Sequence, residues 1–412
     1  MMTVTIQPKK LTGRVTPPPS KSQAHRLLLC AALAQGESVV DNVAFSQDIR
    51  ATLGCMEALG AKWQETAPGK LTVTGAPMGD WTGELPRMDC GESGSTLRFL
   101  IPIALAVAGG GVFTGRGRLM QRPQKPYFDL FDEKGIDYAL TDGVLTVRGA
   151  LKPGEYRLPG DVSSQFFTGL LYALSLLDGP STIVSTTALE SEDYISMTVD
   201  AMARAGVRVE KGGDGRSYRV FPARYKPFTD RVEADWSQAG FWYAAIALGN
   251  AVDIAGMNAF SVQGDMVVAA HFLRLTGEGD VELDVSGCPD LVPPLAGMAA
   301  LRKGNTAIVN AARLRIKESD RLASVTAVLN ALGAEVEEHP DSLTIRGKES
   351  LRGGVSVDCH NDHRIAMMAA VAATRCEQPV TLVGAECVKK SYPDFWEHYR
   401  MLGGDFDVVV SG

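Results

Sequence analysis

Four short stretches of this 412-residue chain gather side chains that could hold anions and move protons. In PPPSKSQAHRLLL, Lys21, Ser22 and Arg26 occupy the opening turns of an apolar helix. A cation at a helix N-terminus opposes the positive end of the macrodipole, so an anionic ligand is expected there. A second stretch, RGRLMQRPQKP, places Arg116, Arg118 and Arg122 in a loop. LRIKESDRL holds Arg315, Lys317, Glu318, Asp320 and Arg321; CHNDHRIAMM holds Asn361, Asp362, His363 and Arg364, followed by Lys389 and Lys390 in CVKKSYPDF. Arginine grips carboxylate and phosphate through two parallel hydrogen bonds, while lysine can bind an anion and also exchange a proton. The chemistry these types allow is a pair of anionic substrates held by Lys and Arg, with carboxylates and a lysine as acid and base.

Each stretch has a plainer meaning when read alone. RIKESDR has the look of a solvated charge run, His363 of a structural histidine, and Arg122 of a loop arginine. Ser163-Ser164-Gln165 suits a helix cap. Other chemistries lack their patterns: there is no GxxxxGK[ST], no strand-linked GxGxxG, no GxSxG and no HxxxH-type metal spacing. GESGST brings glycines for close backbone approach but matches no nucleotide loop. No metal and no cofactor are expected.

What gives the clusters meaning is a repeat that places them at equivalent points. Six times a small polar motif precedes an alanine- and leucine-rich helix and then a β-rich stretch. The openings at residues 20, 93, 163, 237, 290 and 361 are spaced by 73, 70, 74, 53 and 71 residues. Most units carry a second helix ending at glycine and followed by a strand, as in CMEALGAKWQE, LFDEKGIDYAL, AMARAGVRVE and VLNALGAEVEE. The fourth unit is short, and its second helix is blurred around HFLRLTGEGD. Six units imply two α/β domains of three, with RVTPPPS and YKPFTDRVEAD as the crossovers. Parallel helices in each domain would bring their N-termini to one face and make an anion trap.

Bulk properties limit the partners. With 41 Lys+Arg, 48 Asp+Glu and a net charge of −7, the chain has no basic excess for a nucleic-acid backbone. MMTVTIQPKK alternates like a strand and lacks a signal-peptide core. No run approaches ~20 uncharged apolar residues, so no membrane span is expected. Seven scattered cysteines without CxxC spacing suit free thiols in the cytoplasm.

On these motifs the chain resembles the 5-enolpyruvylshikimate-3-phosphate synthase family of enolpyruvyl transferases. PPPSKSQAHR resembles PxSKSxxxR and CGESGSTLR resembles GNSGTxxR; QRP, GDVSSQF, LRIKESDRL, NDHRIAM and KSYPDF match the remaining blocks in order. The resemblance implies a two-domain inside-out α/β barrel, each domain of three βαβαββ repeats, with the active site in the interdomain cleft. It implies a shikimate 3-phosphate domain over residues 20–233, and a domain with phosphoenolpyruvate and proton-transfer residues over 1–19 plus 234–412. Shikimate 3-phosphate would meet Lys21, Ser22, Arg26, Ser163, Ser164, Gln165, Ser191, Tyr194, Asp290 and Lys317. Phosphoenolpyruvate would meet Lys21, Gly94, Arg122, Gln165, Arg321, Arg364 and Lys390. Asp290 and Glu318 would move protons, assisted by Lys21 and His363. The implied enzyme is a monomeric transferase of aromatic amino-acid biosynthesis, leading to chorismate and a target of glyphosate.

Two positions depart from the family pattern. Glu92 stands where an asparagine is usual, and Arg313 where some members carry an asparagine. A carboxylate so close to an anion site is expected to turn away or to pair with an arginine such as Arg98. Two other readings remain open. One is the related transferase acting on UDP-N-acetylglucosamine, which commonly uses a loop cysteine that VFTGRGRLMQRPQ lacks. The other is a non-catalytic anion-binding homologue.

Overall fold

A computed structural model describes residues 1–77 and 81–410; residues 78–80 and 411–412, which fall inside the two expected domains, lie outside the described residues. The chain divides into two compact units, a terminal one made of Met1–Ser20 with Ala234–Gly412 and an inserted one, Lys21–Glu233. Among the described residues, twelve α-helices recur in pairs. In the inserted unit they are α1 (Lys21–Leu33), α2 (Gln47–Ala58), α3 (Gly94–Ala108), α4 (Lys125–Lys134), α5 (Ser164–Leu174) and α6 (Glu192–Arg204). The terminal unit holds α7 (Trp236–Ala247), α8 (Val268–Thr276), α9 (Val292–Ala299), α10 (Arg321–Leu332), α11 (His363–Ala373) and α12 (Phe395–Met401).

The odd-numbered helices form the cores. Their apolar residues run all the way round instead of along one stripe, which suits a helix enclosed on every side. Every residue of α11 is buried, as are ten of the eleven in α5. Outside them lie sheets whose strands alternate buried and exposed residues, the mark of a sheet covered on one face. In a typical unit the strand Arg87–Asp89 pairs parallel with Gly110–Thr114, which pairs antiparallel with Val144–Arg148, which pairs antiparallel with Asp137–Thr141. Among the described residues, five sheets have this four-stranded form.

Local signals end the helices. Ser93 and Asp362 accept hydrogen bonds from Thr96 N–H (3.1 Å) and Arg364 N–H (3.0 Å), capping α3 and α11. Gly135 and Gly333, at φ 65° and 105°, close α4 and α10 in the left-handed conformation.

The fourth unit is the exception. Among the described residues its sheet has only Thr12–Val15 and Ala251–Ile254, paired parallel, and the chain leaves α8 directly for Val281–Asp284, the first strand of the next sheet. The missing hairpin accounts for the short spacing, and it leaves the implied βαβαββ pattern incomplete in this unit. Strand Met2–Gln7 pairs with both Val380–Val383 and Asp405–Val410, so the N-terminal segment completes the last sheet. The two crossovers run side by side: Pro19 and Ala234 form an antiparallel bridge, and Asp235 N–H donates to the Pro18 carbonyl at 2.8 Å.

Candidate active site

In the terminal unit, the segments leading into α9, α10 and α11 meet around one half-buried carboxylate. Asp290 precedes α9. Its Oδ1 accepts from Arg321 Nη1 at 2.8 Å and its Oδ2 from Arg364 Nη2 at 2.9 Å, with Lys317 Nζ 3.7 Å away. Arg321 is 1% exposed and bonds two further carboxylates: Glu318 through Nη2 at 2.7 Å, and Asp362 through Nε at 2.8 Å. Asp362 also caps α11 and accepts from Ser319 Oγ at 3.0 Å. Arg364 adds bonds to Ser237 Oγ and to the Asp290 carbonyl. A buried charge needs both a counter-charge and hydrogen bonds, and each of these groups has both.

The electrostatics follow from that packing. Burial pushes the Asp290 carboxyl upward, but Arg364, Lys317 and Arg321 outweigh it and hold the group well below the usual carboxylate range. Burial, reinforced by Arg321 and Arg313, brings the Lys317 ammonium down to about 8 against the pull of Asp290. Asp290 is therefore a firmly ionised group, and Lys317 titrates near neutrality. Lys390, buried, donates to the Asn361 carbonyl at 2.6 Å, and His363 is buried with Nδ1 4.0 Å from Asp362 Oδ1. His360 and Asn361 both sit at positive φ in the turn before α11, a strained pair of the kind concentrated at functional sites.

The inserted unit gathers its groups at the starts of α1, α3, α5 and α6. Lys21 Nζ pairs with Asp48 Oδ2 at 2.7 Å. Arg26 spends Nε on Thr198 Oγ1, Nη1 on the Ser22 carbonyl and Nη2 on the Tyr194 carbonyl, at 2.7–2.9 Å. A guanidinium has five N–H groups, so two of its donors lie beyond these three bonds. Ser191, at φ 53°, begins α6. Ser163 caps α5 by accepting from Gln165 N–H, and Ser164 is buried beside it. The Gln165 side chain is pinned at both ends: Oε1 accepts from Arg98 Nη1 (2.9 Å) and Nε2 donates to Ser95 Oγ (3.0 Å).

Gly94 and Arg122 are in direct contact. A Cβ added to Gly94 would lie 2.6 Å from Arg122 Nη1 and 2.9 Å from Cζ, so the guanidinium lies against the bare glycine backbone. Arg98 donates to Gln165 and to the Pro123 carbonyl at 3.0 Å. The Glu92 carboxylate lies against Gly117, where a Cβ would lie 2.5 Å from Oε2. Arg313 is buried and donates to the Ser286 carbonyl.

Several partners escaped the sequence reading. Asp48 looks like an ordinary first-turn acid behind the Ser46 cap. Ser95 and Ser237 are legible only as polar helix-start residues, and Ser319 only as part of the LRIKESDRL run. Thr198, inside α6, carries no signal at all.

These arrangements suit anion binding and proton transfer, and comparison with known proteins decides between families. A family model described as EPSP synthase (3-phosphoshikimate 1-carboxyvinyltransferase) matches residues 5–399. The chain belongs to the EPSP synthase family. A protein of Clostridium kluyveri named 3-phosphoshikimate 1-carboxyvinyltransferase is 46% identical over 99% of both chains. One of the same name from Clostridium acetobutylicum is 44% identical over 98% of each. The fold is shared with an EPSP synthase of Acinetobacter baumannii (TM-score 0.80, 23% identity, all of both chains). It is shared too with the enolpyruvyl transferase NikO of Streptomyces tendae (TM-score 0.78, 16% identity, 100% of this chain and 99% of that one).

Proposed function

We propose that the chain transfers the 1-carboxyvinyl group of phosphoenolpyruvate to the 5-hydroxyl of shikimate 3-phosphate, releasing inorganic phosphate. The observation that carries this reading is the Asp290–Arg321–Arg364 array with Glu318 and Lys317 beside it, set in a chain of the EPSP synthase family. The hydroxyl oxygen attacks carbon 2 of phosphoenolpyruvate, its proton goes to a base, and carbon 3 gains a proton. The tetrahedral adduct then loses a proton from carbon 3 as its carbon–oxygen bond to phosphate breaks, which restores the double bond.

Asp290 is ionised and aimed by two arginines, so it can accept the hydroxyl hydrogen bond and, as charge shifts, its proton. Glu318, held by Arg321, serves carbon 3, with Lys21 and His363 assisting. Positioned acid–base groups of this kind contribute about 10²–10⁴-fold each. Arg122 against Gly94, with Lys21, Gln165, Arg321, Arg364 and Lys390, takes phosphoenolpyruvate. Ser22, Arg26, Ser163, Ser164, Ser191, Tyr194 and Lys317, with Lys21, Gln165 and Asp290, take shikimate 3-phosphate. The cations stabilise charge as it develops. The enzyme acts on these small molecules as a monomer, in the cytoplasm.

Phosphate release measured with each substrate alone and with both tests the assignment. Release is expected only with both, without added metal or nucleotide. Release with UDP-N-acetylglucosamine in place of shikimate 3-phosphate would overturn it.

A further inference from the structure

We infer that Glu92 is a positioning residue for phosphoenolpyruvate: its carboxylate braces the turn at residues 115–118, which sets the Arg122 guanidinium over Gly94. The inference rests on the assignment of Arg122 to phosphoenolpyruvate made above.

The segments at 89–91 and 114–116 are fastened together by backbone and side chain. Cys90 N–H donates to the Thr114 carbonyl at 2.9 Å and Arg116 N–H to the Gly91 carbonyl at 2.7 Å. Asp89 joins the same seam, accepting from Gly91 N–H through Oδ1 and from Arg116 Nη2 through Oδ2. Glu92 is the next residue after this seam. Its carboxylate lies over Gly117, at φ +56°, so closely that a Cβ there would be 2.5 Å from Oε2 and 2.9 Å from Cδ.

From Gly117 the chain reaches Arg122 through consecutive tight turns. Leu119 N–H donates to Arg116 O at 3.1 Å, Gln121 N–H to Arg118 O at 3.0 Å, and Arg122 N–H to both Arg118 O and Leu119 O at 3.2 Å. A segment bonded this way moves as one piece. Its far end, the Arg122 guanidinium, rests on Gly94. Gly94 is two residues from Glu92 and opens α3, whose start Ser93 caps. The contacts therefore close a ring: Glu92 to Gly117, along the turns to Arg122, and back to Gly94. Displacing the carboxylate frees one corner of that ring and lets the guanidinium drift from the glycine.

This geometry also explains how a carboxylate can stand near an anion site. Glutamate extends its head group one methylene further than the neutral asparagine usual in the family, far enough to lie over Gly117, and it adds negative charge beside the Arg116 guanidinium.

Steady-state kinetics on Glu92→Ala, Glu92→Gln, Gly117→Ala and the Glu92→Ala/Gly117→Ala double variant test the brace. Glu92→Ala is expected to raise KM for phosphoenolpyruvate about tenfold, the loss for one misplaced charge-assisted contact, with kcat and KM for shikimate 3-phosphate within about twofold. Glu92→Gln, which keeps the length, should recover most of that loss. Gly117→Ala should raise the same KM, and the double variant should be less impaired than the product of the two single changes, because the collision is gone. An unchanged KM in Glu92→Ala overturns the inference. So does a lowered KM, which would mean that the carboxylate faces the ligand and repels it. A lower kcat and melting temperature at constant KM would also overturn it, reducing Glu92 to a fold-stabilising residue. A wild-type enzyme without phosphoenolpyruvate-dependent phosphate release would remove the transferase reading, and the brace with it.

Discussion

In the terminal unit the helix starts meet as charge against charge: Asp290, Glu318 and Asp362 interlock with Arg321 and Arg364. In the inserted unit the equivalent starts carry mostly hydroxyls and an amide; Lys21 pairs with the single carboxylate of Asp48, while the three bonds of the buried cation Arg26 go to carbonyls and a hydroxyl. One repeat thus supports two electrostatic settings. Carboxylates clamped by arginines keep their charge and their aim at the expense of basicity, which suits orienting a hydroxyl by accepting its hydrogen bond. Cations held by neutral acceptors keep their full positive charge, which suits a phosphate.

The contrast is broken most severely at the clamped carboxylates. Asp290→Asn and Glu318→Gln should each lower kcat by about 10²–10⁴-fold while substrate binding changes far less. Rapid-quench turnover together with equilibrium binding separates the two effects, and near-normal turnover in either variant would remove that residue from the chemistry.

At the glycine floor of the inserted unit, Gly94→Ala would put a methyl 2.6–2.9 Å from the Arg122 guanidinium. The arginine can swing aside, so folding should survive while KM for phosphoenolpyruvate rises about 10- to 100-fold, the range for losing one or two charge-assisted hydrogen bonds. An unchanged KM would mean that Arg122 does not contact that substrate.

Arg26→Lys sharpens the difference in a different quantity. Lysine cannot reach Thr198, Ser22 and Tyr194 at once, so stability should fall by about 1–3 kcal/mol, as for a buried group left unsatisfied. Urea unfolding measures this, and a change within ~0.5 kcal/mol would contradict the wiring seen here.

The smallest effect is a titration. Lys317 falls to about 8 through burial first, so its charge is lost as pH rises through that value. Shikimate 3-phosphate is already fully ionised there. Its affinity should drop by up to about tenfold between pH 7 and 9. Linkage has the opposite sign for the fold: between about 8 and the ordinary lysine value the unfolded chain binds more protons at this site, so this group's contribution to stability rises with pH. Calorimetric binding at several pH values, with Lys317→Arg as the non-titrating control, checks the first statement. A pH-independent affinity in the wild type would count against it.

Much of the architecture is legible in the sequence. The helix openings, the cap at Ser163 and the terminating glycines at 135 and 333 depend on residues within a few positions of each other. Local hydrogen bonding and φ preference encode them directly. The short fourth unit showed in its spacing, but not that the missing piece was a hairpin. That required seeing the chain pass from α8 straight into the next sheet.

By itself, then, the sequence determined the repeat, the enclosed helices and the set of ionisable residues at their starts. Only the tertiary structure decided the pairings. Asp290 meets Arg321 and Arg364 across 31 and 74 positions, Arg26 meets the Tyr194 carbonyl across 168, and Met2–Gln7 joins strands near the other end of the chain. No short-range propensity reports such distances. They are set when apolar helices bury against one another and the polar groups carried inward must find partners or lose the hydrogen bonds that water gave them.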